Sequence, residues 1–164
     1  MNIFVLDKNP SIAAAMHCDK HCVKMILETA QMLSTAHRVY DTPQAENVYK
    51  KAHLNHPCTK WIRESGANYR WAWRLYHELL VEFTKRRGKH HKSGELIHDL
   101  AHTPHGMPEI GLTPFAQAMP IEYKRSCAVE AYRAYYMGDK AEIAEWNWGR
   151  PAPDWYFSKV SLAS

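Results

Sequence analysis

The stretch from His17 to Val39, HCDKHCVKMILETAQMLSTAHRV, decides the reading of the fold. Val23, Ile26, Leu27, Ala30 and Leu33 recur at steps of three and four, continued by Ser34 or His37, which is the period of a helix with one apolar stripe. Ser11 or Asp19 can cap the segment, and Asp41-Thr42-Pro43 breaks it, so a long helix is expected to end near Val39. His21, Lys24, Glu28, Gln31 and Thr35 fall in a second, polar strip, set apart from the Val23/Ile26/Leu27/Ala30 stripe expected to face the core. That strip can line a cleft. It can equally be a solvated face whose Lys24–Glu28 pair, at i,i+4, contributes a few tenths of a kcal/mol.

Outward from this helix, Asn2–Asp7 is a short apolar run closed by Asn9-Pro10, which reads as a buried extended segment and a turn. Thr59 can cap a second long helix carrying Trp61, Ile62, Tyr69, Trp73, Tyr76, Leu80 and Phe83, kinked at Gly66 and stopped at Gly88 behind a basic last turn. Ser93 opens a short helix. Thr103–Pro120 holds four prolines and two glycines and reads as a fixed loop. Ser126–Met137 is helical, and Asp139-Lys140-Ala141-Glu142 has the form of a capping box for a last helix ending near Gly149, before an aromatic tail running from Pro151 to Ser164. The fold class expected is all-α, one compact domain over residues 1–164 with a short extended start and long Pro-rich loops.

The chain has 164 residues, 46% of them hydrophobic and 23% charged, which excludes a disordered or fibrous protein. No apolar run approaches the roughly 20 residues of a membrane-spanning helix, and Met1–Asp7 lacks the form of a signal peptide, so a cytosolic protein without membrane contact is expected. The formal charge of +4 permits a polyanionic partner without requiring one. Cys18, Cys22, Cys58 and Cys127 are expected to be free thiols.

Three constellations could carry chemistry. His17-Cys-Asp-Lys-His21, with Lys24 and Glu28 behind it, is the densest. Its i,i+4 pairs His17/His21 and Cys18/Cys22 could hold a metal with His56 or His53, but zinc sites use two separated ligand pairs, and no metal or other cofactor is expected. Second, Trp61, Arg63, Arg70, Trp71, Arg74 and the run Lys85–Lys92, seven of whose eight residues are Lys, Arg or His, combine phosphate-neutralising cations with planar side chains, as DNA binding requires. The same residues also fit a helix C-terminus and a core. Third, Asn55-His56-Pro57 sits where a loop meets a helix. No glycine-rich phosphate loop and no nucleophile-elbow serine is present.

Residues Met1–Asp7, His17–His21, Leu27–Gln31, Asn55-His56-Pro57 and Gly111–Pro120 together resemble a group of small phage-encoded proteins without an assigned activity. More distantly, the order of elements resembles the pyrimidine-dimer DNA glycosylase/AP lyase family of the phage endonuclease V type. The shared order is an apolar start ending in proline, a helix with a central Glu, Asn-His-Pro before a long helix ending in Arg-Gly, and Pro-x-Trp-Tyr near the end. The resemblance implies a helical protein that binds duplex DNA, flips a nucleotide and cuts its glycosidic bond with the N-terminal amine, assisted by a Glu at the position of Glu28. Residue 2 is Asn, behind which an initiator Met is usually kept, so the amine would be that of Met1; Lys20 or Lys24 could take the imine role if burial and neighbouring cations lowered its pKa.

The expected catalytic set is therefore Glu28, His21, Lys24 and His56. The expected DNA contacts are His17, Lys20, Gln31, Asn55, Trp61, Arg63, Arg70, Arg86 and Lys89, with Trp61, Trp71 or Tyr69 as wedge or stacking groups. The rival reading is a non-enzymatic phage protein that sequesters a nucleotide signal or a host factor in the same cleft.

Overall fold

In a computed structural model, residues 1–157 are described, and among them six α-helices and no strand form. They are α1 (Pro10–Met16), α2 (Asp19–Val39), α3 (Pro57–Glu64), α4 (Gly66–Arg87), α5 (Ile97–Leu100) and α6 (Ala128–Met137). The fold class is the all-α one expected.

The first helical segment is two helices. Asn9 caps α1 by accepting from the Ser11 amide, with Pro10 in the first turn, and the chain turns at His17 and Cys18 before α2 begins. Asp19 is thus the first residue of α2 rather than a side-chain cap, because its carboxylate is taken by Arg86 and by the Asn147 amide. The second segment is also two helices. His56 caps α3 through Nδ1, Pro57 opens it, and Thr59 lies buried inside it. Ser65 then caps α4, whose first residue is Gly66, so the expected kink is a break between two helices. Gly88 ends α4 in the left-handed region, φ 65°, with its amide on the Thr84 carbonyl. The last expected helix is absent: Asp139–Glu142 is a 3-10 turn, and the Asp139 carboxylate accepts from the Tyr123 hydroxyl instead of capping.

The core is one cluster that reaches from Ile3 to Tyr136 in sequence. α2 packs on α3 and α4, and α1 packs on α4. The start of the chain, Asn2–Leu6, is buried whole as expected, with Phe4 against His21, Tyr132 and Tyr136. This burial changes the faces of α2. A helix enclosed on most sides cannot keep a wide polar strip in water, so His21 and Thr35 are buried, while Leu27, assigned to the core, is 40% exposed. The open seam of α2 is Lys20, Lys24, Leu27 and half-buried Gln31. Trp61, Trp71 and Tyr69 are core residues as well: Trp61 and Trp71 pack edge to face with Phe115 beside them, and the Tyr69 hydroxyl donates to the Leu100 carbonyl. They are not free to enter DNA. All four cysteines are unpaired, three of them buried.

In the aromatic tail, Trp155 is half-buried, its indole N–H on Met16 Sδ and the Arg133 guanidinium over its ring. The tail's remainder, 158–164, lies outside the described residues.

Candidate active site

The chain's first two residues are held from four sides. Asn2 is a polar residue in an apolar run, and every polar atom of its side chain is used. Its Nδ2 donates to the Ala118 carbonyl at 2.7 Å. Its Oδ1 accepts from the Ile3 amide and lies within reach of the Cys58 thiol and the Tyr132 hydroxyl, at 3.3 and 3.0 Å. The Tyr132 hydroxyl also accepts from the Ala118 amide and reaches the Ala116 carbonyl. Such a satisfied network makes burial of the amide side chain tolerable and fixes where the backbone before it must lie.

That backbone lies on Glu28. Glu28 Oε2 stands 3.6 Å from the Met1 α-amino nitrogen and accepts from the Asn2 amide at 3.2 Å, and Oε1 stands 3.6 Å from Lys24 Nζ. The Glu28 side chain is 11% exposed, whereas Lys24 one turn earlier is in solvent. A carboxylate this enclosed interacts with its two cations more strongly than a surface pair would.

His56 completes the cluster. Its Nδ1 accepts from the Cys58 amide, which leaves the other ring nitrogen as the donor, and the ring bonds the Met1 backbone. Burial, followed by the charge of the α-amine, pushes its pKa below the ordinary histidine value, so the ring is neutral at neutral pH. The loop before it is pinned to the helices. Thr35 Oγ1 accepts from the Ala52 amide, Arg38 donates to the Val48 and Tyr49 carbonyls, and Arg63 donates to the Leu54 and Thr59 carbonyls. His53 takes a positive φ of 47° in the turn that leads to Asn55-His56-Pro57.

Of the expected site residues, Glu28, Lys24 and His56 are brought together, and Lys20, Asn55 and Lys89 are exposed with Gln31 half-buried. Others are structural. His21 is stacked on Phe4, its Nδ1 2.7 Å from the Tyr136 hydroxyl, and burial with the nearby His17 holds its pKa down to about 2. His17 is buried on the Ala13 carbonyl, its pKa lowered to about 4 by burial, and its Nε2 finds no partner among the described residues. Both rings are buried. The Arg86 side chain, 1% exposed, is a hub: it bonds Asp19 and Glu82 and donates to the Ala15 and His17 carbonyls at the end of α1. Arg63 serves the loop, and Arg70 is exposed beside Glu109 at 3.9 Å. Among the described residues no three His, Cys, Asp or Glu side chains gather as a metal site.

The family model described as pyrimidine dimer DNA glycosylase matches residues 1–95, more than half of the chain. The chain belongs to the pyrimidine dimer DNA glycosylase family. No curated protein and no solved structure matches it. Met1, Lys24, Glu28 and His56 of this glycosylase-family chain lie inside the matched residues, whereas Ala118 and Tyr132, which fasten Asn2, lie beyond them. The sequence reading missed that clamp, because its parts are 116 and 130 residues from Asn2; the one local signal was an amide at the head of an apolar run. Beside Lys20 and Lys24, a cavity of about 590 Å³ opens between α2 and the segment from Glu142 to Trp148.

Proposed function

We propose that this chain excises a damaged pyrimidine from duplex DNA and cuts the strand, with the Met1 α-amine as nucleophile and Glu28 as its partner. The observation that carries this reading is the α-amino nitrogen 3.6 Å from an enclosed carboxylate, in a member of a DNA glycosylase family. The amine must be the free base to attack, and Glu28 stands within reach to take its proton. The amine nitrogen then bonds to sugar C1′ while the glycosidic bond breaks, its electron pair and a proton going to the departing base. Opening of the sugar ring gives an imine. Glu28 can next remove a proton from C2′; the C3′–O bond breaks by elimination, and water hydrolyses the imine to restore the amine.

The carboxylate also stabilises the positive charge that builds on the sugar, in a site where charges act at short range. His56, neutral and fixed, holds the Met1 backbone and can relay a proton. Lys20, Lys24 and Lys89, exposed, would meet phosphates, as would Arg87, Lys85 and Lys92 around the end of α4. The phage setting implied by the sequence resemblance belongs to this reading too.

Duplexes carrying a thymine dimer, an abasic site or no lesion test it. Strand cleavage is expected at the lesions only. Glu28→Gln should lower the rate by about 10²- to 10⁴-fold, the usual contribution of a positioned acid–base group, with DNA affinity intact. Unchanged turnover in that variant would overturn the assignment.

A further inference from the structure

Base extrusion needs a side chain to fill the gap or pry the step, and the aromatic residues that the sequence offers for this are buried. Among the exposed aliphatic residues, which include Leu27, Leu54, Ile110 and Leu112, one stands out. Ile121 is 83% exposed, the most exposed of the large apolar residues described. It opens the 3-10 turn Ile121–Tyr123, directly after Pro120. Three residues earlier is Ala118, whose carbonyl accepts from the Asn2 side-chain Nδ2. The chain cannot span more than about 11 Å over those three residues, so the Ile121 Cα lies within that reach of Ala118, the residue that fastens the Asn2 side chain.

An exposed isoleucine on a slack loop would mean little, but this turn is braced. The Gln117 side-chain amide clasps Arg125 twice, Nε2 on its carbonyl at 2.6 Å and Oε1 on its amide at 3.0 Å. Arg125 donates in turn to the Glu122 and Lys124 carbonyls. Tyr123 donates to the Asp139 carboxylate and accepts the Asp139 amide, with its ring so close to Gly138 that any Cβ there would collide with it. The apolar tip is therefore held rigidly outward, flanked by the exposed cations Lys124 and Arg125. An aliphatic wedge between base pairs with cations at the adjacent phosphates is how proteins unstack and kink a duplex.

We propose that Ile121 inserts into the base stack of duplex DNA beside the lesion and holds the unstacked state while the nucleotide is extruded. This rests on the reading of the chain as a DNA glycosylase, but its test does not depend on turnover. In the Glu28→Gln background, duplexes with 2-aminopurine next to a thymine dimer should brighten when the protein binds. Adding Ile121→Ser should cut that signal and, in the otherwise native chain, lower the single-turnover rate, each by about tenfold, a small part of the cost of unstacking a step. Ile121→Leu should restore both, and the thermal midpoint should not move, because the side chain is in solvent. No brightening with the Glu28→Gln protein, or equal brightening with and without Ile121→Ser, would overturn the wedge. Brightening that depends on Ile121 in a protein that cleaves nothing would uphold the wedge and overturn the glycosylase reading.

Discussion

Two parts of one helix carry the same kinds of residue and do opposite things. The entry to α2, from His17 to His21, gathers two histidines, a cysteine, an aspartate and a lysine; the next turns offer only Lys24 and Glu28. The denser group is the structural one. His17 and His21 are neutral rings in the core, and Asp19 is fixed by Arg86 where α1 meets α2. The sparser group is the candidate site, because the buried start of the chain ends on Glu28. Density of chemically able residues along a chain does not make a site; what folds against them decides whether they meet solvent or one another.

The two groups should respond in opposite ways to substitution. The largest effect on folding should come from Arg86→Met, which leaves Asp19 uncompensated and frees the carbonyls at the end of α1: a loss of about 3–5 kcal/mol in denaturant unfolding is expected. Glu82 keeps Arg150 in that variant. Burial alone would push its carboxyl pKa up, but hydrogen bonds from Arg150 and Arg86 hold it below the ordinary value. Glu28→Gln should show the reverse pattern, a large loss of rate with little loss of stability. A stable Arg86→Met or an unfolded Glu28→Gln would exchange the roles assigned here.

A smaller effect sharpens the point. Burial lowers His17 and His37 to about 4 and His21 to about 2, from 6.5. Below pH 6.5 the unfolded chain therefore takes up protons that the native chain refuses until about pH 4. Stability should be full above pH 6.5 and fall by a few kcal/mol toward pH 4. Unfolding curves at pH 7, 5.5 and 4.5 would show this, and a flat profile would mean that these rings are open to water. The smallest effect belongs to Lys24→Ala, an exposed cation: the slope of log affinity for duplex DNA against log salt should drop by about one, with the fold unchanged.

Much of this was legible in the sequence. The helix of Glu28, its end near Val39, the Gly88 stop and the free thiols followed from local rules, because capping, period and αL glycine act within a few residues. The carboxylate was readable through a resemblance of element order. A core place for Trp61 was one of two readings left open, whereas burial of His21 and of the Arg86 side chain was not legible, since it depends on the N-terminal segment folding against α2 and on the end of α1 meeting α4. The Asp139 box failed for a related reason: a tyrosine 16 residues earlier takes its carboxylate.

The most direct measurement is borohydride trapping on a duplex with an abasic site, followed by mass spectrometry of the adduct. A covalent protein–DNA complex joined at the Met1 nitrogen, still formed at saturating protein when Lys20 and Lys24 are alanine and lost when the α-amine is blocked, is the predicted result. An adduct on a lysine side chain, or none under conditions where the protein binds that duplex, would contradict the account.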